Sequence, residues 1–172
     1  MVNYLSEQVL RTTIFIQSNE ITTNITTVLL KVLKQKIEDK CNHIGFVIKD
    51  TISIVKKSMG IITTNNNKSM VKYNVSYKCK ILSPSVGDII ECYVNNKNKM
   101  GIIGYVKLHE IIGEGNHPKD DMKNSPLIII IPLNRINDSE SISINDKITI
   151  KVNAVRNKFN EDKIQVVGTN QI

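Results

Sequence analysis

Residues 73–94 read YNVSYKCKILSPSVGDIIECYV, and the fold turns on how this stretch divides. From Val71 to Ile81 apolar and polar side chains alternate. Val71, Tyr73, Val75, Tyr77, Cys79 and Ile81 fall on one face, with Lys72, Lys78 and Lys80 on the other. A period of two belongs to a strand with one buried side. Pro84 then ends the ladder, because proline has no N–H to give it, and Gly87 admits turn conformations closed to other residues. The division falls here, with a first domain over residues 1–82 and a second over 83–172.

Upstream of the long strand the pattern mixes periods. Thr12 to Gln17 alternates as a short strand. From Thr22 to Lys40 the positions Ile25, Val28, Leu29, Val32, Leu33 and Ile37 follow a 3.6-residue spacing, with Lys31, Lys34, Gln35 and Glu38 opposite. Asn24 or Thr26 is suited to cap this helix, since a short oxygen-bearing side chain accepts from the free amides of the first turn. Phe46 and Ile48, then Ile52, Ile54 and Val55, return to strand spacing until Gly60, and Thr63 to Ser69 reads as a polar connection. The expectation is an α+β domain, a helix packed on an antiparallel sheet.

Downstream everything reads as strand: Asp88–Val94, Gly101–Leu108, Leu127–Leu133, Lys147–Arg156 and Lys163–Val167. Five short strands leave exposed edges unless they close on themselves, so a small all-β barrel is expected. The longest insertion, Glu110 to Ser125, is expected at the surface.

Composition narrows the function classes. The 172 residues carry 23 Lys and Arg against 16 Asp and Glu, a formal charge of +7 with a pI near 9.3, which favours a polyanionic partner. Residues 1–81 hold 12 basic and 5 acidic side chains, whereas 82–172 hold 11 of each, so the surplus lies in the first half. Ile, Asn and Lys number 29, 20 and 20, a compositional bias of the source that robs Asn-rich loops of meaning. Cys41, Cys79 and Cys92 are widely spaced, which fits reduced buried thiols; a zinc site from Cys41, His43 and a distant cysteine is the weaker alternative. No basic, then apolar leader opens the chain, and its longest aliphatic run, Leu127–Ile131, is far short of the roughly 20 residues of a membrane helix. An intracellular protein without a membrane contact is expected. His43, His109 and His117 sit in no nucleophile motif, and neither HExxH, a phosphate loop nor GxGxxG is present. No enzyme activity and no cofactor are expected.

The order of these elements, with Tyr73, Val75, Tyr77, Pro84, Gly87, Asp88 and Ile89 at the junction, resembles the stalk subunit family of multisubunit RNA polymerases. That family includes the seventh subunit of eukaryotic RNA polymerase II and its archaeal counterpart, E-prime. In it, an aromatic-x-Val-x-Tyr strand runs into a proline, and Gly-acid-aliphatic opens an OB-fold. The resemblance implies a truncated RNP-like first domain and an OB-fold second domain. Its implied partners are the core polymerase subunits, a helical stalk partner subunit and single-stranded nascent RNA. Two departures stand out. Thr64-Asn65-Asn66-Asn67 replaces the family's Asp-Gly turn, and Ile102 and Ile103 occupy the second barrel strand where stacking aromatics are common, leaving Tyr105 alone. The compositional bias resembles that of a large cytoplasmic DNA virus, which implies a viral factory and virion; a cellular source implies the nucleus.

Candidate sites follow from loops and from the resemblance. Lys97 and Lys99, between the first two barrel strands, are candidates to neutralise RNA phosphates, against the plainer reading of a solvated turn. Tyr105, Lys107, Lys151, Arg156 and Lys158 extend this RNA-binding set if they share a face. Lys56, Lys57, Met59 and Gly60 are the polymerase-docking candidates that the resemblance implies, against an ordinary basic hairpin. Tyr73 and Tyr77 read as packing residues. Two other functions compete: a free-standing OB-fold RNA-binding factor in translation or RNA decay, and a metal-dependent nuclease using Glu110, Glu114, Asp120 and Asp121 around His109 and His117.

Overall fold

In a computed structural model of the chain, residues 3–65, 68–113, 122–135 and 142–170 are described. They are mostly β-strand, arranged as one five-stranded sheet and one closed five-stranded barrel, with two α-helices. Contacts gather the chain into two compact units. One comprises Glu7–Asp39 and Val47–Ile81; the other comprises Met1–Ser6, Lys40–Phe46 and Leu82–Ile172.

The first of these units is built on β5 (Lys68–Leu82). On one side it pairs with β1 (Leu5–Gln17), and on the other with β2 (Phe46–Val47), β3 (Ser53–Lys57) and β4 (Ile61–Asn65). The alternation quoted above is realised: Val71, Tyr73, Val75, Tyr77, Cys79 and Ile81 are all buried. They share one hydrophobic cluster with Ile14 and Ile16 of β1 and with Leu29 and Leu33 of α1 (Ile25–Ile37), so the helix covers this face of the sheet. Asn24 caps α1, its Oδ1 accepting from Thr27 N at 3.4 Å. The helix spans the apolar positions from Ile25 to Ile37 and is shorter than the Thr22–Lys40 segment, because at its end Glu38 already leaves helical geometry and Asp39 turns left-handed at φ 54°.

Two expectations upstream need correction. The Thr63–Ser69 connection is a strand pairing: β4 lies antiparallel on β5 with Ile61 opposite Lys72 and Asn65 opposite Lys68. Its alternation was hidden because both Ile61 and Ile62 are exposed, at 58% and 79%, so no face of β4 is apolar-in and polar-out. And β1 begins at Leu5 rather than Thr12.

The barrel is formed by β6 (Ile89–Asn98), β7 (Gly101–Tyr105), β8 (Leu127–Pro132), β9 (Lys147–Arg156) and β10 (Ile164–Asn170). Its circular order is β10-β8-β7-β6-β9, with β10 and β8 parallel and every other pair antiparallel, an arrangement consistent with an OB-fold. Inward positions Ile90, Cys92, Val94, Ile102, Ile129, Ile131, Ile150 and Val166 are fully buried. Passing once around from Tyr93 through Tyr105, Ile128 and Gln165 reaches Arg156, nine residues along β9 from Lys147, which also faces Tyr93. That stagger is the shear a small barrel needs in order to close with tilted strands.

The β6–β9 ladder is pinned at both ends by the same four-residue turn. In Ser85-Val86-Gly87-Asp88, Asp88 Oδ2 accepts from Ser85 N at 2.7 Å, and in Ser143-Ile144-Asn145-Asp146, Asp146 Oδ2 accepts from Ser143 N at 2.7 Å. The third residue is left-handed in both, Gly87 at φ 96° and Asn145 at φ 71°. Each turn then bonds the other strand: Gly87 N to Val152 O at 2.8 Å and Val152 N to Asp88 O at 2.9 Å, Asn145 N to Val94 O at 2.7 Å and Val94 N to Asp146 O at 3.0 Å. Gly and Asn are the residues that tolerate positive φ, which is why this turn is written Gly-Asp and Asn-Asp.

Two barrel expectations also change. Lys97 is not in a loop but in β6, opposite Ile102, so the β6–β7 connection shrinks to Lys99 and Met100, and Asn98 Oδ1 accepts from Met100 N and Gly101 N. The second strand stops at Tyr105 instead of Leu108, because Val106 N bonds the buried Ser125 Oγ at 3.1 Å rather than a ladder carbonyl. The chain then turns into α2 (Leu108–Ile112), which the sequence reading missed.

Replacing Asp88 or Asp146 by Ala removes a charge-assisted bond to a backbone amide, and each change is expected to lower stability by about 1–2 kcal/mol, with Asn retaining most of it. Urea unfolding measures this; midpoints unchanged in both Ala variants would show that the turns contribute nothing to the barrel.

Candidate nucleic-acid interface

The barrel's candidate residues fall into three places. Lys97 and Lys99 stand at the Asn98–Gly101 end of the β7–β8 pair, and Arg156 near its other end, opposite Gln165, which faces Ile128. Between them the outward positions Ile103, Ile130, Val167 and Ala154 form a row across β7, β8, β10 and β9. Lys151 lies elsewhere, opposite Ile89 and Thr169. Lys158 follows β9 and pairs with Glu161 at 3.1 Å.

Lys107 and Tyr105 belong to a cluster that the sequence did not announce. Tyr105 is buried, its ring 6.0 Å from that of Tyr93, so it presents little face to a base. Lys107 Nζ sits 3.8 Å above the Tyr93 ring, a cation–π contact. The Tyr93 hydroxyl donates to Glu110 Oε1 at 2.5 Å, and Lys147 bridges Glu91 at 2.8 Å and Glu110 at 3.5 Å. These bonds fasten α2 to the outward side of β6 and β9. Of this group Glu91, Lys107 and Glu110, together with Tyr4, Ile89, Val106 and Ile111, line a hollow of about 200 Å³.

Charge in this cluster is self-consistent. Burial by itself would raise the Glu110 carboxyl, but the Tyr93 hydroxyl and Lys147 outweigh it and hold the group below its ordinary value. Donation to Glu110 raises the Tyr93 phenol, and bonding to Glu91 raises the Lys147 ammonium. Burial, reinforced by Glu91 and Asp88, pushes Tyr4 up to about 12.

The docking candidates sit at the β3–β4 connection. Lys56 and Lys57 end β3, Met59 is 90% exposed, and Gly60 packs so closely that a Cβ there would lie 2.7 Å from Val71 and 2.8 Å from the Tyr73 ring. Lys56 and Lys57 join Arg11, Ser58, Asn74 and Ser76 around an open concavity of about 250 Å³. Arg11 is an addition that sequence spacing could not supply, because it arrives from β1 across the sheet. Among the described residues none of these three cations has an ion-pair partner. Tyr73 and Tyr77 lie in the hydrophobic cluster.

Among the described residues neither metal reading gains a site. Cys41, Cys79 and Cys92 are buried free thiols, pushed by burial up to about 11, 11 and 12. His43 stacks on Phe159, with ring centroids 4.9 Å apart. Of the acidic-loop group, Glu110 is taken up by Tyr93 and Lys147, while Glu114, His117, Asp120 and Asp121 lie outside the described residues. Among the described residues no group of three or more His, Cys, Asp or Glu is placed to hold a metal, and no helix is long and apolar enough to cross a membrane.

Phe159 is the residue that the sequence reading passed over. It is 67% exposed at the turn between β9 and β10, and its signal was available: a lone aromatic in RNKF, next to two cations.

The chain is 29% identical over 160 residues to a protein of Acanthamoeba polyphaga mimivirus described as a putative DNA-directed RNA polymerase subunit, a match covering 84% of this chain and 71% of the viral protein. No family model matches the chain.

Because the folded-state Glu110 carboxyl is lowered, its contribution to stability is present above the ordinary carboxylate value and fades as pH falls through the lowered one. Glu110→Gln is therefore expected to reduce the melting temperature at about pH 7, with the gap to the parent closing at about pH 3. Thermal melts at the two pH values check this, and an equal gap at both would mean that the carboxylate charge plays no part.

Proposed function

We propose that this chain is a noncatalytic subunit of a DNA-directed RNA polymerase, of the stalk type. In this reading residues 1–82 form an α+β, truncated RNP-like docking domain and residues 83–172 an OB-fold. The observation that carries it is the similarity, across 84% of the chain, to a viral protein described as such a polymerase subunit. The circular strand order, with only β8 and β10 parallel, supports the OB-fold assignment.

The mechanism is positioning. Lys56, Lys57, Met59 and Gly60 dock on the core enzyme beside its clamp; Met59 is the most exposed large apolar side chain among the described residues, as a docking contact would be in the free protein. A docked protein that binds one clamp state better than another shifts the clamp toward it, and no catalytic side chain is needed. The barrel contacts nascent single-stranded RNA through Lys97 and Lys99 at one end of the β7–β8 pair and through Arg156 and Lys158 toward the other. Their phosphate contacts give affinity that falls with salt and carries no sequence preference. A helical stalk partner completes the assembly, and the setting is the infected cell's site of viral transcription.

Copurification separates this reading from a free RNA-binding factor of translation or RNA decay. A tagged chain is expected to elute with the large polymerase subunits, and Met59→Asp to abolish that association without lowering the melting temperature; elution without them rejects the stalk assignment. For RNA, Lys97→Ala with Lys99→Ala is expected to flatten the plot of log affinity against log salt by about 1.4, roughly 0.7 per lost contact. An unaltered slope in a filter-binding titration removes both lysines from the interface.

A further inference from the structure

The chain holds three Phe, five Tyr and no Trp, so its capacity for ring stacking is small and can be followed ring by ring. Phe46, Tyr4, Tyr73, Tyr77 and Tyr105 are buried, and Tyr93 carries Lys107 on its face. Phe15 is 46% exposed on β1, in the sheet unit. Phe159 is the most exposed ring of all, and it lies nearly flat on the exposed His43, with 20° between the planes.

The backbone beneath this pair is fixed. Asn160 N donates to Cys41 O and Cys41 N to Glu161 O, both at 2.8 Å, and Asn157 Nδ2 donates to Asn42 O at 2.9 Å. On the other strap, Asn42 Oδ1 accepts from Ile44 N at 2.7 Å and Gly45 N at 2.9 Å, which shapes the turn that presents His43. Two turns distant in sequence are thereby tied edge to edge, each offering one ring. The chain neighbours of Phe159 are polar, Asn157, Lys158, Asn160 and Glu161, and Ile44 beside His43 is the exposed aliphatic side chain of the two turns, so the pair is set mainly among polar residues rather than in the charge-depleted core typical of a protein interface. Arg156 and Lys158 precede it. Arg156 has no ion-pair partner among the described residues, and the Lys158–Glu161 pair is a half-exposed surface contact that yields to a phosphate at little cost.

We propose that the His43–Phe159 pair is a base-stacking site for single-stranded nucleic acid. A nucleobase continues the two-ring stack on the outer face of Phe159, and Arg156 and Lys158 meet the flanking phosphates. A stack of flat rings accepts any base, since each has a π face, so the site grips a strand without reading it. The inference rests on the single-strand reading of the barrel given above and assigns to it a contact that the lysines cannot make.

The test uses the full chain and labelled 12-nucleotide oligo-uridine and oligo-deoxythymidine, with a duplex of the same length as control, read by fluorescence anisotropy. Phe159→Ala is expected to weaken single-strand binding by about 5- to 100-fold with the salt slope unchanged, because it removes stacking and no charge. Phe159→Tyr is expected to keep the affinity, Phe159→Leu to fail to restore it, and the duplex to be insensitive to all three. RNA and DNA arms that respond alike place the recognition in the base face; a response of RNA alone places it in the ribose and overturns the stacking site. Parent chain that binds single strands while Phe159→Ala binds them equally well overturns the site and leaves the barrel reading intact. Full rescue by Leu overturns it too, as does loss of polymerase copurification in Phe159→Ala with oligonucleotide binding unchanged, which would make the ring a protein contact. Parent chain that binds neither single strand removes the barrel reading and this site with it. The melting temperature of each variant, expected to match the parent at an exposed turn, guards against misfolding.

Discussion

The barrel depends on one ladder. β6 and β9 are far apart in sequence, and pairing them closes a stagger of nine residues, so their register must be fixed by something stronger than strand propensity. It is fixed at both ends by carboxylates. Asp88 and Asp146 each bind the amide three residues back, force a left-handed residue between, and so present a carbonyl and an amide to the opposite strand. A strand that slips by one residue turns its buried side chains outward. Two such clasps set the register of Ile90, Cys92, Ile150 and Val152 and, through them, which side chains face out.

What faces out is unlike a basic groove. Three cations of the barrel are engaged locally, Lys107 by a tyrosine ring, Lys147 by two carboxylates and Lys158 by a third. The row between the two charged ends is aliphatic. In the sheet unit Lys34 and Lys78 are paired with Asp50 and Glu7, but Arg11, Lys56 and Lys57 surround a concavity with no carboxylate among its lining residues. The basic surplus of the first half of the sequence is thus gathered in part around this concavity.

The pieces that sequence reading recovered share one property: their signal is local and repeated. Eleven residues of alternation defined β5, six apolar positions defined α1, and β9 was bounded correctly at Lys147 and Arg156. The pieces it missed lack a repeat. β4 has no buried face to mark it, α2 is five residues long, and Lys97 looked like loop because Asn-rich sequence resembles a turn whether or not it is paired. The Ser-x-Gly-Asp and Ser-x-Asn-Asp turns were present in the sequence as near repeats, yet their meaning lay in each other's strands.

The break at Pro84, the buried faces of β5 and α1 and the number of barrel strands are consequences of periodicity and of proline and glycine chemistry, and the sequence alone determined them. Which side chains meet was decided only in three dimensions. Glu110 finds Tyr93, Arg11 joins Lys56, and His43 lies on Phe159, 116 residues away, because closing a barrel and folding a sheet convert distance along the chain into adjacency. A local pattern fixes which way a residue points; the pairing of distant strands fixes what it points at.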